Sequence, residues 1–261
     1  VADKAASTGP VGEARGIISL RGIKKCFGGH AVLDGVDLDI RTGETHVILG
    51  RSGSGKSVML KLICGLMNPD EGMMAIDGQT LYPAATAASR REALSKIQML
   101  FQGGALFDSM SITQNIAFHA VEHGRIKPAE AESFAREYLE AVNLPDAGLR
   151  APAELSGGMR KRAALARALA AAPKIMLYDE PTTGLDPLTA QVINQLIREI
   201  QKRLGVTSVV VTHDLRSALD VGDRCSFLEG GRIIETTTPG KLSSSSCAVI
   251  REFSEKAAVQ P

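Results

Sequence analysis

The chain has 261 residues, 44% of them hydrophobic and 23% charged, enough apolar material for a full core, which excludes a mostly disordered protein. Thirty basic residues against twenty-nine acidic ones leave a net charge of +1, so no global field draws nucleic acid or anionic lipid. Aromatics are only 4% with no Trp, which argues against a ring-lined sugar or base platform. Val1 to Gly16 is small, polar and rich in Gly and Ala, without the apolar stretch of a signal peptide, and is expected to be a mobile tail. Ile17–Leu20 and Val36–Ile40 read as strands, the second alternating strictly, with turns expected at Gly28-Gly29 and Asp34-Gly35. Thr45–Leu49 reads as a buried parallel strand ending in a Gly-rich loop. Val58–Leu66 reads as a helix stopped by Gly65 and Asn68-Pro69, and Met73–Asp77 as another strand.

From Ser111 to Val142 the pattern turns helical, with Phe134, Tyr138 and Val142 as one stripe. A further helix is expected over Met159–Ala172, then a buried strand at Lys174–Tyr178. Asp186 as N-cap and Pro187 in the first turn start a helix whose expected apolar face is Leu188, Val192, Leu196, Ile200 and Leu204, ending at Gly205. Val206–Thr212 is a β-branched core strand. Phe227–Glu229 and Arg232–Ile234 make a hairpin across Gly230-Gly231. Ser243–Ser246 reads as a surface segment and Ala248–Lys256 as a short helix with Val249, Ile250 and Phe253 on one face. Met73, Met74 and Met99 are assigned to the core. Cys26, Cys64, Cys225 and Cys247 form no CxxC pair and read as free thiols in a reducing compartment. No run approaches the roughly 18 apolar residues of a membrane span. The whole is α/β, with an antiparallel N-terminal portion and a helical insertion.

Three segments carry chemistry. Gly50-Arg51-Ser52-Gly53-Ser54-Gly55-Lys56-Ser57 fits GxxxxGK[ST] between a predicted strand and a predicted helix. Its glycines let successive N–H groups face one anion, and the helix N-terminus adds partial positive charge. Lys56 is expected to reach the β- and γ-phosphates, and Ser57 to ligate Mg²⁺. Asp179 and Glu180 stand at the C-terminal end of an apolar strand, the edge where α/β sheets bind ligands. Asp179 is expected to hold the Mg²⁺ shell through water, and Glu180 to act as general base on the attacking water. Leu155-Ser156-Gly157-Gly158-Met159 opens a helix whose first turn carries Arg160, Lys161 and Arg162. Cations there oppose the helix dipole, so a docking anion would offset them.

Together these segments resemble the ATP-binding cassette family, the nucleotide-binding subunits of ABC transporters, over about Ile17 to Pro239. Leu155-Ser156-Gly157-Gly158 resembles its signature motif, and Asp179-Glu180 its Walker B acid and catalytic Glu. Gln102 stands where its Q-loop glutamine belongs, as a catalytic and Mg²⁺-facing residue. Gly184-Leu185-Asp186 matches its D-loop, His213 its switch histidine, and Phe27 its adenine-stacking aromatic, usually Tyr. The resemblance implies a P-loop ATPase with a mostly parallel sheet, an antiparallel β subdomain and a helical subdomain. Its expected parts are a nucleotide-binding core over 17–102 and 167–239, a helical subdomain over 103–166 and a C-terminal tail over 240–261. It implies ATP and Mg²⁺ as ligands and a head-to-tail dimer in which Ser156, Gly157 and Gly158 clamp the ATP held by the other copy. It also implies integral membrane permease subunits as partners, and a peripheral place on the cytoplasmic face of the inner membrane.

Met159, where many members carry Gln, and the stretch Met99 to Met110 resemble the ATPase subunits of Mla/Mce-type lipid transport systems. That branch implies phospholipid transport, with lipid-binding and small accessory subunits as further partners and no nucleic acid. Leu106, Phe107 and Met110 are then either contacts for a permease helix or core of the helical subdomain. Competing readings are weaker. Cassettes of DNA repair separate the two motifs by a coiled coil, whereas about a hundred residues without heptads separate Lys56 from Ser156. Translation-associated relatives carry two cassettes, and a GTPase would carry an NKxD-type segment. A transporter of another substrate is the main alternative.

Overall fold

The computed structural model describes residues 16–259; the rest of the expected N-terminal tail lies outside the described residues. Strands β1 (Ile18–Phe27) and β2 (His30–Ile40) pair as a hairpin about Gly28 and Gly29, both longer than the sequence pattern indicates. The turn expected at Asp34-Gly35 is instead a bulge inside β2. Asp34 pairs with Lys24 and Val36 with Ile23, while Gly35, at φ 80°, is passed over. One left-handed glycine bends a strand without ending it. β3 (Thr45–Leu49) is buried throughout and leads through the Gly-rich loop into α1 (Lys56–Ile63). β4 (Glu71–Ile76) and β5 (Gln79–Tyr82) complete an antiparallel sheet of order β2-β1-β4-β5.

Helix α2 (Ala87–Ser95) and β6 (Ile97–Leu100) follow. The expected helical stretch is two helices, α3 (Ile112–Glu122) and α4 (Ala131–Ala141), separated by Gly124 at positive φ and a short turn begun by Pro128. Ser111 and Gln114 form a capping box on α3. Then come α5 (Gly157–Leu169), β7 (Ile175–Asp179) and α6 (Pro187–Leu204), the last capped by Asp186 and ended by left-handed Gly205. β8 (Thr207–Thr212), α7 (Leu215–Val221), the hairpin β9 (Arg224–Glu229) and β10 (Arg232–Thr237), and α8 (Ala248–Val259) finish the chain.

The second sheet has the order β10-β9-β3-β8-β7-β6, parallel except for β10. Both its faces are covered, so its central strands are buried along their whole length. Ile48, Leu177, Val209 and Val211 face a core shared with α1 and the antiparallel sheet. Val47, Leu49, Met176, Tyr178 and Val210 face a core built with α3 to α7.

Three further expectations fail. On α6, Leu196 and Ile200 are buried with Ile193 and Ile197, but Leu188, Val192 and Leu204 are exposed. A strict four-residue step precesses about 40° each time, so the ends of that series leave the buried face. Met73 is exposed while Met74 is buried, because adjacent strand residues point to opposite sides of a sheet with one open face. Within Ser243–Ser246, Ser245 is buried: its hydroxyl donates to the Glu235 carboxylate and accepts from the Cys247 amide.

Candidate functional site

Parallel pairing brings three chain exits to one sheet edge. Leu49 at the end of β3 pairs with Thr212 at the end of β8, and Asp179 at the end of β7 pairs with Val211. The Gly50–Gly55 loop, Glu180 and His213 therefore emerge side by side. Gly50 packs so closely on the Leu228 carbonyl that a Cβ would overlap it. Gly55, at φ 103°, caps α1 without a side-chain hydrogen bond, which leaves the first amides of the helix to an incoming anion.

A cavity of about 420 Å³ opens there, lined by Ser52, Gly53, Gly55, Lys56 and Ser57 together with Gln102, Glu180 and His213. Lys56 is buried; its ammonium donates to Gly50 O at 2.8 Å and Arg51 O at 3.0 Å and lies 3.8 Å from Glu180 Oε1. Burial holds its pKa below the usual lysine range, against the pull of Glu180 and Asp179. Ser57 Oγ donates to Asp179 Oδ1 at 2.9 Å. A hydroxyl and a carboxylate oxygen this close, with the Gln102 amide on the same cavity, are hard oxygen donors of the kind Mg²⁺ takes. Among the described residues no group of three His, Cys, Asp or Glu gathers to form a separate metal cage.

The carboxylate of Glu180 is held at several points. Its Oε2 lies 2.9 Å from His213 Nδ1 and accepts from Thr183 Oγ1 at 3.1 Å and Thr212 Oγ1 at 3.4 Å. Its backbone has φ 49°, a left-handed conformation rare for a side chain of this type. Thr183 and Thr212 escaped the sequence reading; their only signal was adjacency to the acidic pair and to His213.

Other predicted residues lie away from this cavity. Ser156 caps α5, accepting from Met159 N at 3.3 Å; Ser156 and Gly157 are exposed, and Gly158 is pressed against Thr189 of α6. None of the three lines the cavity of its own chain. Phe27 is 42% exposed on the β1–β2 hairpin, with the Lys25 ammonium 5.5 Å from its ring. Arg51 faces Glu252 of α8 at 3.5 Å in an exposed pair of little energetic weight. The three cations expected to meet an anion at the start of α5 have backbone partners in this structure. Arg160 donates to Leu155 O, Lys161 to Glu180 O, and Arg162 to Val142 O and Asn143 O.

A Gly-rich phosphate loop on β3, with acids on β7 and a histidine after β8, defines a P-loop nucleotide hydrolase. The ABC transporter family model matches residues 33–183. The sulfate/thiosulfate import ATP-binding protein CysA of Caulobacter vibrioides is 41% identical over 86% of this chain and 66% of its own length. The probable ribonucleotide transport ATP-binding protein mkl of Mycobacterium leprae is 39% identical over 94% of this chain and 69% of its own. The intermembrane phospholipid transport system ATP-binding protein MlaF of Escherichia coli is 36% identical over 91% of this chain and 88% of its own. An ATP-binding cassette solved as a dimer in a post-hydrolysis state with ADP and Pi superposes with a TM-score of 0.76 at 33% identity, over 85% of this chain and 98% of that one. This chain belongs to the ABC transporter family and is an ATP-binding cassette ATPase.

Proposed function

We propose that this chain is the ATP-hydrolysing subunit of a transporter that moves phospholipid across a bacterial-type envelope through partner permease subunits. The observation that carries the lipid assignment is the pairing of Phe101-Gln102-Gly103-Gly104-Ala105-Leu106-Phe107-Asp108-Ser109 with Ser156-Gly157-Gly158-Met159-Arg160-Lys161-Arg162 in one cassette. The similarity to a phospholipid-transport ATP-binding protein supports it. Similarity to a sulfate/thiosulfate import protein favours the second reading, a transporter of another cargo.

In this reading residues 17–102 and 167–239 form the nucleotide-binding core and 103–166 the helical subdomain. Gly50 to Gly55 and the start of α1 bind the ATP phosphates. Lys56 exchanges its carbonyl partners for phosphate oxygens, and Phe27 stacks on the adenine. Ser57, Asp179 and Gln102 would hold Mg²⁺, which neutralises phosphate charge when bound. Glu180 takes a proton from the attacking water, and His213 fixes the orientation of its carboxylate. Ser156 and Gly157, which are exposed, and Gly158 beside them, none of which lines the cavity of its own chain, serve a second copy in a head-to-tail dimer; dimeric cassette relatives support this.

A groove of about 330 Å³ with Leu66, Phe101, Phe118 and Arg167 in its walls receives the permease. Leu66, Phe101 and Phe107 are exposed around it, and Arg167 stacks 4.2 Å from the Phe107 ring centroid. In this reading the membrane path belongs to partner permeases and this subunit is peripheral on the cytoplasmic face; no described helix is long and apolar enough to cross a membrane. Purification with its membrane partners and mass spectrometry of the bound cargo tests the substrate class. Phospholipid is the expected finding; a sulfur oxyanion, sugar or peptide in its place overturns the assignment.

A further inference from the structure

We propose that Lys161 is a positioning residue for Glu180, holding its peptide carbonyl and so tying the start of α5 to the hydrolytic centre of the same chain. The proposal rests on the reading of Glu180 as general base. Lys161 is only 7% exposed, and its ammonium donates to Glu180 O at 3.2 Å. Burying an ammonium is costly unless charge and hydrogen bonding compensate. Burial does depress its pKa, and Glu180 and Asp179 pull the other way.

The residue it holds needs holding. Glu180 has φ 49°, a conformation that persists only where its surroundings over-determine it. Its N–H donates to Val211 O at 3.0 Å, and its carbonyl also accepts from Thr183 N at 3.3 Å. Those bonds come from the neighbouring strand and from the turn itself. Lys161 adds a donor from a different element, one turn into the helix that Ser156 caps. A helix moves as a rigid rod over so short a distance. Displacing the exposed Ser156-Gly157 end therefore displaces the ammonium on the Glu180 carbonyl, and the peptide rotation re-aims the carboxylate held by His213. Whatever docks on the signature segment is thereby reported to the hydrolytic carboxylate in cis.

The test is steady-state ATP hydrolysis by the full chain in its assembled complex, with kcat and KM measured separately. K161M should lower kcat about 10- to 100-fold, the range for a reacting group displaced by about 1 Å, with KM for ATP within about twofold. K161Q keeps a donor without the charge and should restore most of the rate. K161A carries the K161M expectation if the longer apolar side chain prevents folding. An unchanged kcat in the truncations overturns the proposal. So does a rise in KM with kcat preserved, which would put Lys161 on the nucleotide. Equal losses in K161M and K161Q also overturn it, because charge and not the carbonyl bond would then matter. E180Q run alongside separates the two readings. Full turnover in E180Q removes the general base itself, whereas an inactive E180Q beside an unaffected K161M removes only the role of Lys161.

Discussion

His46 is fully buried on β3, with Nε2 2.8 Å from Ser226 Oγ and Nδ1 3.2 Å from Glu44 Oε1, which Arg224 also reaches. Burial holds its pKa below the ordinary value of about 6.5, with Glu44 opposing. The ring is therefore neutral in the folded protein, and the contact with Glu44 is a hydrogen bond. As pH falls through about 6.5 the unfolded chain binds a proton that the folded chain refuses, so stability falls with pH down to the folded pKa. Urea midpoints should fall between about pH 7.5 and about pH 5.5, with part of the fall coming from this group. H46Q should flatten that part of the profile; an equal slope in H46Q would assign it elsewhere. The same residue-scale logic explains why Thr183 and Thr212 were invisible in sequence. A hydroxyl that accompanies a carboxylate has no spacing rule: Thr183 reaches Glu180 within its own turn, and Thr212 only where β7 and β8 meet.

Helix α5 depends on one close approach. A Cβ on Gly158 would overlap Thr189 Cγ2 at the start of α6. G158A should therefore cost about 1–3 kcal/mol, the range for overpacking a tight contact, read as a fall in the denaturation midpoint. Asp186 caps α6 by accepting from the Thr189 backbone N–H at 3.0 Å, and that bond survives loss of the Thr189 side chain. G158A/T189A should recover most of the stability, and an additive double variant would show that the contact is not the cause. Element ends were legible where the cap is local: Asp186, Pro187 and Gly205 bound α6 as the sequence indicates. The buried face of α6 was less so, because an 18-residue helix rotates its apolar residues away from a four-residue series. β5 and α2 carry little pattern at all; α2 buries only Ala93 and is held by the Thr86 cap and its neighbours.

For the whole molecule, the decisive feature is that the phosphate-loop cavity and the signature segment do not meet within one chain. E180Q should bind ATP, lose about a hundredfold or more of its hydrolysis, and accumulate as an ATP-dependent dimer in light scattering. A monomer under saturating ATP would remove the two-copy site, and undiminished turnover would remove the base. Sequence alone determined the phosphate loop, the acid pair and the family resemblance, because each is a short run whose chemistry is set by neighbours in the chain. It also indicated buried core strands at β3, β7 and β8, each with an apolar centre. Tertiary structure alone decided that Lys161 reaches the Glu180 carbonyl, that Gly35 is a bulge, and that Arg160 and Arg162 answer backbone oxygens. For the three cations the physical reason is the same. A buried or half-buried polar group must find a partner, and the partner is chosen by which element packs beside it, a distance that the order of residues does not contain.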